Sequence, residues 1–346
     1  MSKTQRFRHS RRRRTLRRLL PVFFIAVLVL ALIVGIVWYF SSRPSTGDGG
    51  NKPLIGGKST TTTVPTTTTT TLPSFTDQTV SQLSGAMSAK NALLYDVTNE
   101  RVLYNTNADV PCSPASLTKI MTAAVAAKYA TEENFVIGRE VYLTDPQASS
   151  AYLKLGMELT LPQMLQALLL PSGGDAAYAL AVHTAQRLYP EEELTNFEAA
   201  TRFCDLMNEE LEAIGAKDSH FVNPDGIYHT FHVTTANDML KILRFAWQYD
   251  AVREALCTQR TSFTTPSGHE LSYTNTNRLL NTYFPATYYA NAIGGKTGYT
   301  DEAGYCLASV AEKDGVQLIA IVLGCADENL RFTESTLLYE AGFALK

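Results

Sequence analysis

The chain of 346 residues is poor in cysteine: it has five, an odd number, and no Cys-x-x-Cys pair. That excludes a disulfide-framework miniprotein and a cysteine zinc module. No internal repeat organises it. Its one close histidine pair, His229-x-x-His232, lacks the glutamate of an HExxH site. Polar loop histidines are the favoured reading there, and no metal is expected. Three further absences are local. Residues 1–18 contain no acid, residues 19–40 contain no charge, and the stretch from Ser59 to Thr71 contains almost no apolar side chain.

What is present follows the same divisions. The first 18 residues hold nine Lys or Arg, leaving 21 basic against 33 acidic side chains beyond them, so a formal net charge of −3 hides a −12 remainder. Leu19 to Phe40 is apolar throughout. At 1.5 Å per residue such a run crosses a hydrocarbon core of roughly 30 Å. Trp38 and Tyr39 stand at its far end, where amphipathic rings favour the headgroup layer. The preceding arginines predict a cytoplasmic N-terminus with the rest outside. A cleaved signal peptide is the alternative, but the run is long for one and no small-x-small signature follows at once. Beside such a span the basic tip needs no nucleic acid to explain it. Residues 41–78 read as a stalk, with ten threonines between Ser59 and Thr71, because too little apolar surface is available to offset ordering entropy. The expected organisation is therefore a basic tail (1–18), a single-pass anchor (19–40), a Thr/Pro-rich disordered stalk (41–78) and an extracytoplasmic globular domain (79–346).

The globular part is expected to be α/β (α+β). Strands are predicted over 90–97 and 101–105, and a second hairpin over 305–311 and 316–324 turns at Asp314-Gly315. Between them, helical periodicity marks 116–129, 161–170, 175–188, 196–214 and 235–248, with a last helix over 327–345. Strands at both ends enclosing helices suggest a mixed sheet carrying an inserted helical subdomain.

Three short patterns carry chemistry. In Pro114-Ala115-Ser116-Leu117-Thr118-Lys119, Ser116 and Lys119 are three apart and share a helix face. If Ser116 opens the helix, the N-terminal partial positive charge favours its alkoxide-like state. A serine hydroxyl needs a base, and a desolvated lysine can serve as one. In Pro171-Ser172-Gly173-Gly174-Asp175, a loop presents the Ser172 hydroxyl and Asp175 is expected to cap the next helix. Gly294-Gly295-Lys296-Thr297-Gly298-Tyr299 reads as a glycine-flanked strand with an exposed lysine, open to close approach by another backbone or a ligand.

In this order and spacing, Ser116-x-x-Lys119, Ser172-x-Gly174 and Lys296-Thr297-Gly298 resemble the serine penicillin-recognising enzymes. The flanks, including FVNPDGIYHTFHVTTANDML and KTGYTDEAGYCLASVAEKDG, resemble the D-alanyl-D-alanine carboxypeptidases among the low-molecular-weight penicillin-binding proteins. The resemblance covers roughly residues 88 to 345. It implies a β-lactamase/transpeptidase-like fold, a mostly antiparallel sheet flanked by helices with an all-helical insertion, and no cofactor. It implies attack by Ser116 on a D-Ala-D-Ala peptidoglycan stem peptide, with Lys119 as base and Ser172 as proton relay. Lys296 and Thr297 would receive the terminal carboxylate, and the N–H groups of Ser116 and Tyr299 would form the oxyanion hole. Penicillins and other β-lactams would acylate the same serine. D,D-endopeptidase activity, or a low-turnover β-lactam- or wall-binding role, are the alternatives.

The sequence departs from the family pattern at Gly174, where the family's asparagine would contact the lysine and substrate; Asp175 or water is the candidate substitute. Glu191 to Asn196 nearly matches a class A β-lactamase deacylation segment but reads better as a charged helix start. Cys112, four residues before Ser116, is a candidate for lining the approach to the site. Cys306 and Cys325 share the C-terminal hairpin, and most cysteines read as small apolar fillers.

Overall fold

A computed structural model describes residues 74–129 and 134–345. The expected basic tail, anchor and nearly all of the stalk lie outside the described residues. Among the described residues no helix is long and apolar enough to cross a membrane. The first described element is helix α1 (Asp77–Ala86), capped by the Thr76 hydroxyl, which accepts from Thr79 N. This helix spans the expected boundary at 78/79, with the Thr76 cap contributed by the segment read as stalk.

Strands from both ends of the domain meet in one sheet. Its order is β2 (Arg101–Thr106), β1 (Asn91–Asp96), β9 (Val316–Cys325), β8 (Gly304–Lys313) and β7 (Ala292–Thr300). Every neighbouring pair is antiparallel. The β8–β9 turn places Asp314 at φ 51° and Gly315 at φ 80°, the paired left-handed conformation that an Asp-Gly hairpin favours. Along β9, Leu318, Ala320 and Val322 enter one core while Ile319, Ile321 and Leu323 enter the other. Burial on both faces explains why this strand reads as a continuous apolar run instead of an alternating one.

One face is covered by α8 (Leu330–Phe343), with Phe332, Leu338, Tyr339 and Phe343 in the smaller core. This helix starts later than the predicted Asp327, since Asp327 accepts from Asn329 N in a turn before it. The larger core lies on the other face and extends into the helical insertion: α2 (Thr118–Tyr129), α3 (Leu161–Leu169), α4 (Gly174–Leu188), α5 (Asn196–Ala213), α6 (Ala236–Trp247) and α7 (Asp250–Cys257). Every residue of α2 from Thr118 to Ala126 is buried, so it is a central helix without a solvent face. Two short ribbons complete the subdomain, β3 (Phe135–Val136) with β4 (Glu158–Leu159) and β5 (Arg260–Thr264) with β6 (Glu270–Thr274). Helix α7 and the β5–β6 ribbon fall outside the predicted elements; both are short, and only Gln248 and Tyr249 separate α7 from α6.

All five cysteines are free. Cys204, Cys306 and Cys325 are buried, as apolar fillers should be. Cys112 pairs through its backbone with Thr234 and does not line the cleft described below. Glu191 to Glu193 are exposed, and α5 starts after them with a Thr195–Glu198 capping box. The charged-helix-start reading fits that geometry.

Candidate active site

Ser116, the expected nucleophile, sits in a short 3-10 turn, Ala115–Leu117, that runs into α2. Ser116 therefore precedes the α-helix and does not open it as expected. Ala115 has φ 48°, a left-handed conformation that a non-glycine residue adopts at a cost of about 1–3 kcal/mol. Lys119 reaches back from the first turn of α2, its Nζ 3.1 Å from Ser116 Oγ and 2.5 Å from the main-chain oxygen of Asp225. Only 1% of its surface is exposed. Burial lowers its pKa to about 8, against the opposing pull of Asp225 and Asp175. A neutral amine beside a hydroxyl is what general-base activation of serine needs.

A loop in the insertion cradles this turn. Asn223 accepts from Gly226 N and donates to the Ile227 carbonyl, while the Pro224 carbonyl accepts from Thr122 Oγ1 on α2. Below it, His232 is 1% exposed and stacks on Phe221 with ring centroids 4.9 Å apart. Val222 N donates to its Nδ1, so Nε2 carries the proton and donates to Thr118 Oγ1, which donates to the Ala115 carbonyl. His232 is thus a buried strut under the strained residue, not the polar loop histidine expected. His229 is exposed, and among the described residues no cluster of His, Cys, Asp or Glu is arranged to hold a metal ion.

The second motif lies between α3 and α4. Ser172 adopts φ 66°, and its buried Oγ has no hydrogen-bond partner. An orphaned hydroxyl in a left-handed residue is a group held ready for something else to bind. Gly173 takes the cap position of α4, and Asp175 falls in the first turn. Its carboxylate accepts from Ala151 N, Leu153 N, Ala176 N and the Ser150 hydroxyl. Asp175 therefore ties residues 150–153 to α4; it neither caps the helix as expected nor is free to replace an asparagine side chain at 174.

The third motif is edge strand β7. Lys296 is fully buried, contrary to the exposed lysine expected, because the nucleophile turn lies across the strand. A Cβ on Gly298 would stand 3.0 Å from the Pro114 carbonyl and 3.3 Å from Leu117 N, so only glycine allows that crossing without displacement. Lys296 Nζ donates to the Thr297 carbonyl, and burial, with Lys119 and Arg331 nearby, drives its pKa well down. Thr297 Oγ1 lies 2.6 Å from Thr276 Oγ1. Tyr299 turns its ring outward, stacked on Tyr305, leaving its backbone at the site.

These elements line a cleft of about 420 Å³ containing Ser116, Ser172, Thr276, Thr297, Gly298 and Arg331. Lys119 and Lys296 are buried and do not form part of this lining. Arg331, on α8, was not singled out from the sequence as a site residue. It donates to the Gly298 carbonyl and pairs with Glu328 at 3.2 Å, while its buried Nε has no partner. Arg331 shares the buried face of its helix with Glu334 and Ser335, so no local pattern marks it.

Ser116, the adjacent buried Lys119, the orphaned Ser172 hydroxyl and the Arg331 wall have the arrangement that serine acyl transfer would require. Residues 76–327 match the family model described as D-alanyl-D-alanine carboxypeptidase, peptidase S11. The chain belongs to this family. It is 29% identical over 263 residues to D-alanyl-D-alanine carboxypeptidase DacF of Bacillus subtilis, covering 75% of this chain and 63% of that relative. It is 32% identical over 259 residues to a D-alanyl-D-alanine carboxypeptidase of Streptomyces sp. strain K15, covering 70% of this chain and 83% of that relative. The crystal structure of the Streptomyces K15 DD-transpeptidase superposes with a TM-score of 0.68 at 30% identity, covering 75% of this chain and 98% of that one. The family fold, an antiparallel sheet with helices on both faces and a helical insertion, is the one predicted. Within this chain Ser116, Ser172, Thr297 and Gly298, drawn from all three motifs, line one cleft.

Proposed function

We propose that the protein is a serine D-Ala-D-Ala carboxypeptidase, anchored through Leu19–Phe40 with its catalytic domain outside the membrane, that removes the terminal D-alanine from peptidoglycan stem peptides. The observation that carries the reading is the buried Lys119 amine 3.1 Å from Ser116 Oγ. Neutral Lys119 takes the Ser116 proton as Oγ forms a bond to the carbonyl carbon between the two D-alanines. The developing oxyanion is received by main-chain N–H groups of Ser116 and Tyr299, which border the cleft. The carbon–nitrogen bond then breaks, and the proton passes from Lys119 through the Ser172 hydroxyl to the leaving amine. Water hydrolyses the acyl-Ser116 ester, with Lys119 again accepting a proton.

The substrate ends in a carboxylate, and the cleft wall supplies what such a group needs. The Thr297 hydroxyl and the Arg331 guanidinium line it. The acidic remainder of the chain is locally reversed in sign where the anion binds. A β-lactam presents a strained amide and a carboxylate in similar relation, so it acylates the same serine.

The test is to incubate the protein with a labelled penicillin and, separately, with a D-Ala-D-Ala peptide and cross-linked muropeptides. The proposal expects label on wild type, none on Ser116→Ala, and free D-alanine from the peptide. Cleavage of cross-links alone would make it a D,D-endopeptidase. Labelling without turnover would make it a β-lactam-binding protein. Absence of labelling would remove the serine mechanism. Protease protection of the catalytic domain in oriented vesicles tests the topology.

A further inference from the structure

The residue beside Lys119 that the motifs do not name is Asp225. Its main-chain oxygen holds the Lys119 Nζ at 2.5 Å. Its carboxylate is divided: Oδ1 accepts from Ile227 N at 3.3 Å, while Oδ2 is buried without any hydrogen-bond partner. The whole residue is 1% exposed. An unpartnered carboxylate oxygen in such a place is costly, and a native fold retains one only where something offsets the penalty.

Position 174 shows how the space for it arises. A Cβ built on Gly174 would stand 3.1 Å from Asp225 Oδ2, 2.7 Å from Thr144 Cγ2 and 3.2 Å from Ala148 Cβ. Any larger side chain at 174 would have to displace the carboxylate or Thr144. The glycine and the aspartate therefore occupy one volume between them. The other titratable groups that feel this carboxylate are Lys119, Asp145, Tyr178 and Cys204. Lys119 is the only cation among them. Burial raises the Asp225 pKa and Lys119 opposes that rise. The same attraction, seen from the lysine, opposes the lowering that burial imposes on Lys119.

We infer that Asp225 is a positioning residue for Lys119, its carbonyl fixing the amine and its carboxylate, housed in the space that glycine leaves at 174, stabilising the positive charge Lys119 gains on taking the Ser116 proton. This rests on the serine–lysine reading above. The step balances without any added reactant: the hydroxyl proton moves to the amine, the serine oxygen bonds to the acyl carbon as the carbonyl π pair moves onto its oxygen, and the ammonium is attracted by the buried Asp225 carboxylate. Asp175 contributes at a distance, since its own oxygens are taken up by residues 150–153 and Ala176.

Asp225→Asn tests the charge while keeping the main-chain contact and side-chain shape. The rate of acylation by labelled penicillin is measured across pH in the wild-type chain and the variant. Losing the carboxylate makes Lys119 a weaker base, so the acid limb of the profile should move down by about one pH unit and the plateau should fall up to about tenfold. A proportional loss with the limb unmoved would show only a structural role and overturn the inference, as would an unchanged profile. Should the variant fail to fold, carbon-13 titration of the wild-type Asp225 carboxyl decides instead. The inference expects it ionised, with a step in its shift as Lys119 titrates; a carboxyl neutral throughout, or blind to that titration, overturns it. Failure of wild type to label at Ser116 is a separate outcome, which removes the underlying mechanism.

Discussion

Gly226 and Ala115 meet backbone to backbone across the floor of the site. A Cβ on Gly226 would lie 2.0 Å from the Ala115 oxygen and 2.9 Å from Ser116 N, and Gly226 itself holds φ 86°. The turn that strains Ala115 and aims Ser116 is thus braced by a loop more than a hundred residues away in sequence.

Gly226→Ala is therefore expected to fail on both counts, conformation and contact. A left-handed alanine costs about 1 kcal/mol and the backbone collision adds more, so the loss of stability should be about 3 kcal/mol. Thermal unfolding should show that loss, and penicillin labelling should fall by more than the folded fraction does, because Ser116 N is displaced.

Acylation should rise with pH through about 8. Lys119 works as a base only when neutral, and burial brings its pKa down to about 8 from an ordinary value of 10.5. Below that pH most of the lysine is protonated and the rate should fall about tenfold per unit. Lys119→Arg, which stays charged, should lose a factor of about 10² to 10⁴ at every pH. Stopped-time labelling over a pH series checks both.

Arg331→Gln should separate binding from chemistry. The amide keeps a donor for the Gly298 carbonyl but removes the positive charge from the cleft wall. A charge-assisted contact contributes about 1.5–3 kcal/mol, so KM for a peptide with a free C-terminal carboxylate should rise by roughly tenfold to a hundredfold. A substrate with an amidated C-terminus should show no such difference between variant and wild type.

Stability should fall as pH drops below 6.5, and His232 should account for a share of it. Burial lowers its pKa to about 3, so between about 3 and 6.5 the unfolded chain binds a proton that the folded chain excludes. The contribution is complete above 6.5 and is lost progressively toward 3, reaching about 2 kcal/mol of loss at a pH of about 5. His232→Gln should start from lower stability, because Thr118 loses its partner's geometry, but its decline from neutral to mildly acidic pH should be shallower. Chemical denaturation of both proteins at the two pH values measures this.

Much of the architecture is written in local pattern. The apolar run of β9, the Asp-Gly turn before it and the periodicity of α2 to α6 follow from burial and turn chemistry within a few residues. Ser116-x-x-Lys119 is legible for the same reason, since one helical turn already brings the two side chains together. Lys296 shows where this stops. Its strand is visible and lies at the sheet edge as a glycine-rich strand should, yet the lysine is buried because the nucleophile turn crosses it. Asp175 shows the same limit: it looks like a cap, but residues 150–153 claim its carboxylate.

The sequence alone determined the order of the chemical motifs, the family and the elements that carry them, because each rests on neighbours within a turn or a strand. Only the tertiary structure decided that His232 braces Thr118, that Arg331 walls the cleft, and that Asp225 fills the room left at Gly174. Those contacts join segments separated by thirty residues or more. Their strength comes from exclusion of water, which no single segment can achieve by itself.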